Sequence, residues 1–382
     1  MKKLTRLFTR NNRIVEDDEP WRFTSVVRRL RGIPSPEKPK KLKSDGEKKS
    51  LQTVESRLSI EERICNENSA QTDDNVGRIT VATDATEYSE FKLDLSPEIL
   101  AKANDYRYDK CLGQGQYSTV YRAWNTRHNK PTAVKKVVLT RLSTHELNLC
   151  RNEIKLLQAV KSPYVVRLLD NFVENYGEVL CIALELMDGG DLEGQLDYLR
   201  GNGRLFGERS VWFYFHQICC GLLALHENRI LHRDLKPANV FMSGNGRCKL
   251  GDLGMSRMIG NRTKNVRTKC GSAFYMAPEI YGIHGYHFKS DIWSLGCLLY
   301  EMCTLCPPFY EQSSEYALCK RITSARRTPL FPPYYSKYID YFIDKCLQLD
   351  SNKRPTIEQC QSAAVKMQQV FQSNITKRQI HR

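Results

Sequence analysis

Over roughly the first hundred residues the apolar positions follow no sustained period of 2 or 3.6, and from Tyr106 onward the texture changes to short runs of β type. Leu112-Gly113-Gln114-Gly115-Gln116-Tyr117-Ser118-Thr119-Val120-Tyr121 reads as strand, glycine turn, strand, and Thr132-Ala133-Val134-Lys135-Lys136 as a further strand. A helix is expected from Thr144 to about Gln158, because Leu147, Cys150, Ile154 and Leu157 recur at spacings of three and four. Leu180 to Met187 is a continuous apolar run that ends in Asp188-Gly189-Gly190-Asp191, as a buried strand closed by a turn would. Residues 205–229 read as one long amphipathic helix with Trp212, Phe213, Phe215, Ile218, Leu222 and Leu225 turned inward. Ser290 to Gly296 reads as a buried helix.

Composition sharpens the contrast between the two parts. The chain has 382 residues and 41% hydrophobic content, slightly low for a chain that is packed throughout. Residues 1–103 hold few aromatics and the run Ile33-Pro34-Ser35-Pro36-Glu37-Lys38-Pro39-Lys40-Lys41, and such a segment cannot bury enough apolar area to offset its ordering entropy. It is expected to be mostly disordered. Of the formal net charge of +15, residues 1–50 hold +8 (15 Lys/Arg against 7 Asp/Glu) and residues 51–100 hold −7 (4 against 11). A solvated basic tail is the plain reading of residues 1–50; contact with a membrane surface, a nucleic acid or an acidic partner is the sharper one. Leu4, Leu7 and Phe8 among Lys2, Lys3, Arg6, Arg10 and Arg13 also suit a surface helix or a mitochondrial presequence, but the serine enrichment of presequences is missing. No apolar run reaches the roughly 18 residues of a spanning helix. Fourteen cysteines show no paired metal framework, and Cys303 and Cys306 read as small core residues near a helix end stopped by Pro307 and Pro308. Thiols in that number fit a reduced, cytoplasmic setting.

The chemistry is concentrated in residues 230–240, Ile-Leu-His-Arg-Asp-Leu-Lys-Pro-Ala-Asn-Val. Asp234 can accept a hydroxyl proton, Lys236 can neutralise a phosphate, and Asn239 can hold a hard cation through its side-chain oxygen. Thirteen residues beyond Asn239 stands Asp252, a second oxygen ligand in Gly251-Asp252-Leu253-Gly254. Two such ligands suit Mg²⁺, which binds through one or two carboxylates plus substrate phosphates. Gly113 and Gly115 would let backbone N–H groups approach phosphates, although a Gly-x-Gly alone is equally a hairpin turn.

Taken together these segments resemble the catalytic core of a eukaryotic protein kinase, over about residues 104–370. The resemblance implies an α+β, two-lobed fold: a small β-rich N-lobe with one helix (104–186) and a larger α-helical C-lobe (187–371). A disordered extension (1–103) would precede it and a short tail (372–382) follow. It further implies ATP and Mg²⁺, with Asp234, Lys236, Lys135 and Glu153 as the catalytic set and Asn239 and Asp252 as metal ligands. ATP would lie among Leu112, Gly113, Gln114, Gly115, Gln116, Tyr117, Ser118, Thr119, Val120, Ala133, Lys135, Leu184, Glu185, Met187 and Phe241. Leu184 would gate the pocket behind the adenine, the backbone of Glu185 and Met187 would bond to the base, and Val120, Ala133 and Phe241 would sandwich it. Ser118 replaces the third glycine of the kinase loop.

Residues 255–279 correspond to an activation segment, in which Arg233 would pair with a phosphate on Thr268, or second on Thr263, placed there by an upstream kinase or by autophosphorylation. Ser272 and Lys236 favour serine and threonine over tyrosine in protein substrates. Asp291 is expected to tie to the catalytic-loop backbone and Arg354 to salt-bridge Glu279. Finer detail, including Leu253 in place of phenylalanine after Asp252, resembles the NIMA-related (NEK) kinases, which adds a cytoskeletal association to the cytoplasmic expectation. Ala273 stands where that family usually has proline, and no coiled-coil heptads follow the domain. Two rival readings are a pseudokinase scaffold, which would normally have lost Lys135, Asp234 or Asp252, and a kinase tethered to membrane or nucleic acid by its basic arm.

Overall fold

The computed structural model describes residues 101–115, 118–258, 272–282, 285–311, 314–330 and 334–380. The N-terminal extension, Gln116, Tyr117, Thr263 and Thr268 lie outside these residues.

Strands β1 (Tyr106–Gln114), β2 (Ser118–Asn125), β3 (Lys130–Val138), β4 (Leu168–Glu174) and β5 (Val179–Glu185) form one antiparallel sheet in the order β1-β2-β3-β5-β4. Because successive side chains of a strand point to opposite faces, β3 sends Val134 and Lys136 one way and Lys135 and Val137 the other. On the first face Tyr106, Ala123, Val134, Phe172, Cys181 and Ala183 make a small cluster, with the Tyr106 and Phe172 rings stacked at 4.7 Å. Val137, Leu180 and Ile182 join the main core with Leu156 and Leu157 of α1 (Thr144–Ala159). Helix α1 begins where it does because Ser143 and Glu146 close a capping box: the Ser143 hydroxyl accepts from the Glu146 amide, and the Glu146 carboxylate accepts from the Ser143 amide.

Beyond β5 the chain turns helical: α2 (Leu192–Gly201), α3 (Glu208–Glu227), α4 (Phe288–Thr304), α5 (Glu315–Ser324), α6 (Lys337–Cys346) and α7 (Ile357–Ile380), the last running past residue 371. The α+β, two-lobed architecture read from the sequence is therefore present. Helix α3 is shorter than its apolar pattern suggests, since Gly207 caps it. Trp212, Phe215, Ile218, Leu222 and Leu225 are buried as expected, but Phe213 is 44% exposed. At about 100° per residue it cannot share the inward face with Trp212 and Phe215, and it lies edge-on to Tyr214 instead, 5.3 Å between centroids. Cys303 is buried at the end of α4 and Cys306 half-buried beyond it; every described cysteine is a free thiol. Among the described residues no three or more His, Cys, Asp and Glu side chains gather as an all-protein metal cluster, and no helix is long and apolar enough to cross a membrane.

Two short antiparallel ladders position the loops between the helices. Strand β6 (Ile230–Leu231) pairs with β9 (Arg257–Met258), and β7 (Val240–Met242) with β8 (Cys248–Leu250). The β7 hairpin is in turn tied to the turn after β5: the Gly189 amide donates to the Met242 carbonyl at 2.9 Å, and the Met242 amide to the Gly190 carbonyl at 2.7 Å.

Helix α4 also buries an acid. Glu301 accepts a hydrogen bond from the Tyr275 hydroxyl at 2.5 Å, yet burial outweighs that bond and pushes its carboxyl up to about 7. A carboxyl raised in the folded state contributes stability below its unfolded value of 4.5 and loses it as pH rises through about 7. Glu301→Gln, which keeps an acceptor and cannot ionise, is therefore expected to melt higher than the parent at pH 8, by the equivalent of about 3 kcal/mol. The two should converge only below about pH 4 in a thermal melt series; a constant difference across pH would contradict the assignment.

Candidate active site

The sheet register brings the first group of candidate residues together. Val120, Lys135 and Ile182 are cross-strand partners on β2, β3 and β5, and Ala133 faces Leu184 in the next pair. Lys135, half-buried on β3, reaches α1 and donates to both carboxylate oxygens of Glu153, at 2.8 and 2.9 Å. Asp252 lies 3.6 Å from the same ammonium. Burial works against a charged Lys135, but the Glu153 and Asp252 carboxylates more than offset it, and the pKa stands above the ordinary lysine value. The cation is charged at neutral pH and is shared between Glu153 and Asp252.

The two glycines lie just before the start of β2. Gly115 donates to the Ser118 carbonyl at 2.7 Å, and on the Cβ side of Gly113 nothing lies within 4 Å. At the far edge, Glu185 commits its amide to the Arg167 carbonyl and its carboxylate to the Arg167 amide and the Lys249 ammonium, which pins the end of β5. Phe241, half-buried on β7, lies against Gly251: a Cβ at 251 would come within 2.7 Å of two of its ring atoms. Glycine is required there by close approach.

The second group converges on Asp234. Its Oδ2 accepts from Lys236 at 2.8 Å and from the Asn239 amide at 3.1 Å, while Oδ1 accepts from the backbone amide and the hydroxyl of Ser272 at 2.8 and 3.0 Å. Lys236 also donates to the Ser272 hydroxyl at 2.9 Å. Burial opposes ionisation of Asp234, but the Lys236 ammonium and the two Ser272 donors hold its carboxyl below the usual range. Asn239 gives its Nδ2 to the Asp234 carbonyl and carboxylate, which makes Oδ1 the end available to a ligand. Asp252 has a half-exposed carboxylate on a left-handed residue, φ 53°. Two hard oxygen ends of this kind fit Mg²⁺.

Beneath the loop, the fully buried Asp291 of α4 accepts from the amides of His232 and Arg233, both at 3.0 Å, from the Tyr286 hydroxyl at 3.0 Å, and pairs with His226 Nε2 at 2.9 Å. Arg233, which these bonds hold at φ 68°, is itself buried. Arg354 binds Glu279 through both terminal nitrogens, at 2.8 and 2.7 Å.

This arrangement agrees with what the chain resembles. Residues 106–365 match the protein kinase domain. The chain belongs to the protein kinase domain family. Within it, the kinase domain is 37% identical over 254 residues to serine/threonine-protein kinase Nek5 of Homo sapiens, 33% over 265 residues to Nek2 of Homo sapiens, and 32% over 261 residues to a probable serine/threonine-protein kinase nek2 of Dictyostelium discoideum. These matches cover 66%, 68% and 67% of this chain but 35%, 59% and 61% of those proteins. The kinase domain thus spans less than two thirds of the length of these curated relatives. The likeness to NEK kinases read from the residues is the likeness found.

Sequence reasoning missed Tyr286 and His226 as partners of Asp291. A tyrosine five residues before an acid carries no periodic signal, and His226 reaches Asp291 across 65 positions. It also missed the contact between Gly251 and Phe241, although an isolated glycine after an apolar strand was the available sign.

Proposed function

We propose that this chain is an ATP-dependent serine/threonine protein kinase with Mg²⁺ as its metal. The observation that supports this best is the cluster Asp234, Lys236, Asn239 and Ser272 together with the Lys135 and Glu153 ion pair. Lys135, held by Glu153, binds the α and β phosphates, with the glycine turn above them and Val120, Ala133, Leu184 and Phe241 around the base. Asp234 orients the Ser or Thr hydroxyl and takes its proton as the oxygen attacks the γ-phosphorus; the bond to the β,γ-bridging oxygen breaks and ADP leaves. Asp234 is kept ionised by Lys236 and Ser272, so it acts by orientation first and as a weak base late. Lys236 stabilises negative charge on the moving phosphoryl group. Asn239 Oδ1 and Asp252 would hold Mg²⁺, which when bound supplies charge neutralisation on the phosphate oxygens.

Phosphorylation of Thr268, engaging Arg233, is the proposed switch, and the free thiols support a cytoplasmic setting. The test is transfer of labelled γ-phosphate from ATP and Mg²⁺ to a mixed-sequence protein acceptor by the full chain. Label on Ser and Thr, lost in Lys135→Met with nucleotide-free folding unchanged, is the expected result. ATP binding without transfer in the parent would replace the kinase by a scaffold, and a parental rate in Thr268→Ala would remove the switch.

A further inference from the structure

Helix α1 touches the turn after Asp252 at two adjacent residues. Glu153 does so through Lys135, and Gly254 lies so close that a Cβ there would sit 3.5 Å from Glu153 Oε2. Asn152 does so directly: its Nδ2 donates to the backbone carbonyl of Ser256 at 2.9 Å. Ser256 is 1% exposed, and its hydroxyl donates to the backbone carbonyl of His232 at 3.0 Å. His232 stands two residues before Asp234, and its own amide is fixed by Asp291. Two hydrogen bonds thus run from α1 through one buried serine to the loop that carries Asp234, across sequence separations of 104 and 24 residues.

We propose that Asn152 and Ser256 are positioning residues that lock α1, and with it Glu153 and Lys135, to the loop of Asp234. The physical reason is an alignment problem. The Lys135 and Glu153 pair joins α1 to the sheet, and its one tie toward the helical lobe is the 3.6 Å approach of the ammonium to the half-exposed Asp252. The loop of Asp234 is anchored to α4 where Asp291 accepts from the His232 and Arg233 amides, and those bonds fix nothing relative to α1. Phosphoryl transfer needs both sets in register to within fractions of an ångström. The segment after Asp252 meets both, and Ser256 is where it is bonded on each side. Backbone carbonyls buried at such a junction are costly to leave without donors, so the bridge favours the arrangement in which α1 is seated.

This assignment rests on the kinase reading for the roles of Lys135 and Asp234, but its primary test does not use activity. Amide hydrogen exchange of the full chain is followed over residues 144–159 and 252–258 for the parent, Asn152→Ala, Ser256→Ala and the double variant. Alanine is a better helix former than asparagine, so looser exchange in α1 of Asn152→Ala cannot come from helix propensity. The expected result is about 10-fold faster exchange in both segments for either single variant, unchanged exchange in α3, and no further increase in the double variant, because one bridge is broken only once. Under the kinase reading, kcat/KM for ATP should fall about 10-fold while the KM for the protein acceptor stays at the parental value. Faster exchange confined to the segment that carries the substitution, or effects that multiply in the double variant, would overturn the bridge. The expected exchange pattern in the variants, with a parent chain that transfers no phosphate, would instead overturn the kinase reading and leave the bridge standing.

Discussion

Asp234→Asn is expected to lower phosphoryl transfer by about 10³-fold, with the thermal midpoint within about 2 °C of the parent. The substitution is isosteric and keeps an oxygen for the Ser272 or Asn239 donors. It removes the charge that Lys236 balances at 2.8 Å and the ability to take a proton from the acceptor hydroxyl. The amide also presents an N–H toward one of the donors that now converge on the carboxylate, so the local bonding must rearrange. Because every partner of the buried carboxylate, on both oxygens, belongs to the same site, the damage should stay local. Single-turnover transfer and ATP affinity measured together would check this: ATP should bind within about threefold of the parent. A variant that transfers at more than a tenth of the parental rate would remove Asp234 from the proposed role.

Arg354→Met is expected to destabilise the fold by about 3–5 kcal/mol, because breaking one side of a buried ion pair leaves an uncompensated charge. Arg354 is 2% exposed and binds Glu279 bidentately, and it also donates to the carbonyls of Lys289 and Gln348 at 2.8 Å each. Burial opposes ionisation of Glu279, but the guanidinium holds its carboxyl below the usual range, so removing Arg354 leaves a carboxylate with little but the Ser290 hydroxyl and His287 around it. Methionine retains apolar volume against the Trp293 ring, over which the guanidinium now sits at 5.0 Å. A melt about 10 °C below the parent is the expected reading. Adding Glu279→Gln should recover part of that loss, since the stranded charge is what costs most; a double variant no better than the single would show that lost packing dominates.

Much of the secondary structure is legible in the order of residues alone. The 3.6-residue spacing of Leu147, Cys150, Ile154 and Leu157 marks α1 to within a residue of its observed end, because an amphipathic helix must present one apolar stripe to a core. The run through Ile182 and Ala183 marks β5, because a central strand is buried on both faces. Phe213 departs from expectation for the complementary reason: an apolar count over a long window does not resolve which of several neighbouring aromatics points outward. The part of the candidate site that holds Asp234, Lys236 and Asn239 is legible because these residues lie at short fixed offsets within one loop, whereas Lys135 and Glu153 stand on a strand and a helix and are placed by the resemblance.

By itself the sequence determined which groups are present: an ammonium on a strand, a helix glutamate, an Asp-x-Lys-x-x-Asn loop and a second aspartate on a turn. Local rules of periodicity and turn chemistry act over a few residues and are written in consecutive letters. The tertiary structure alone decided that Asn152 meets Ser256, that Ser256 meets His232, that Tyr286 and His226 close around Asp291, and that Phe241 lies against Gly251. Most of these contacts join residues distant in the chain, and none is demanded by its own segment. They exist because the sheet, α1 and α4 pack in one arrangement, and that arrangement brings these buried polar groups within reach of partners that no local rule could supply.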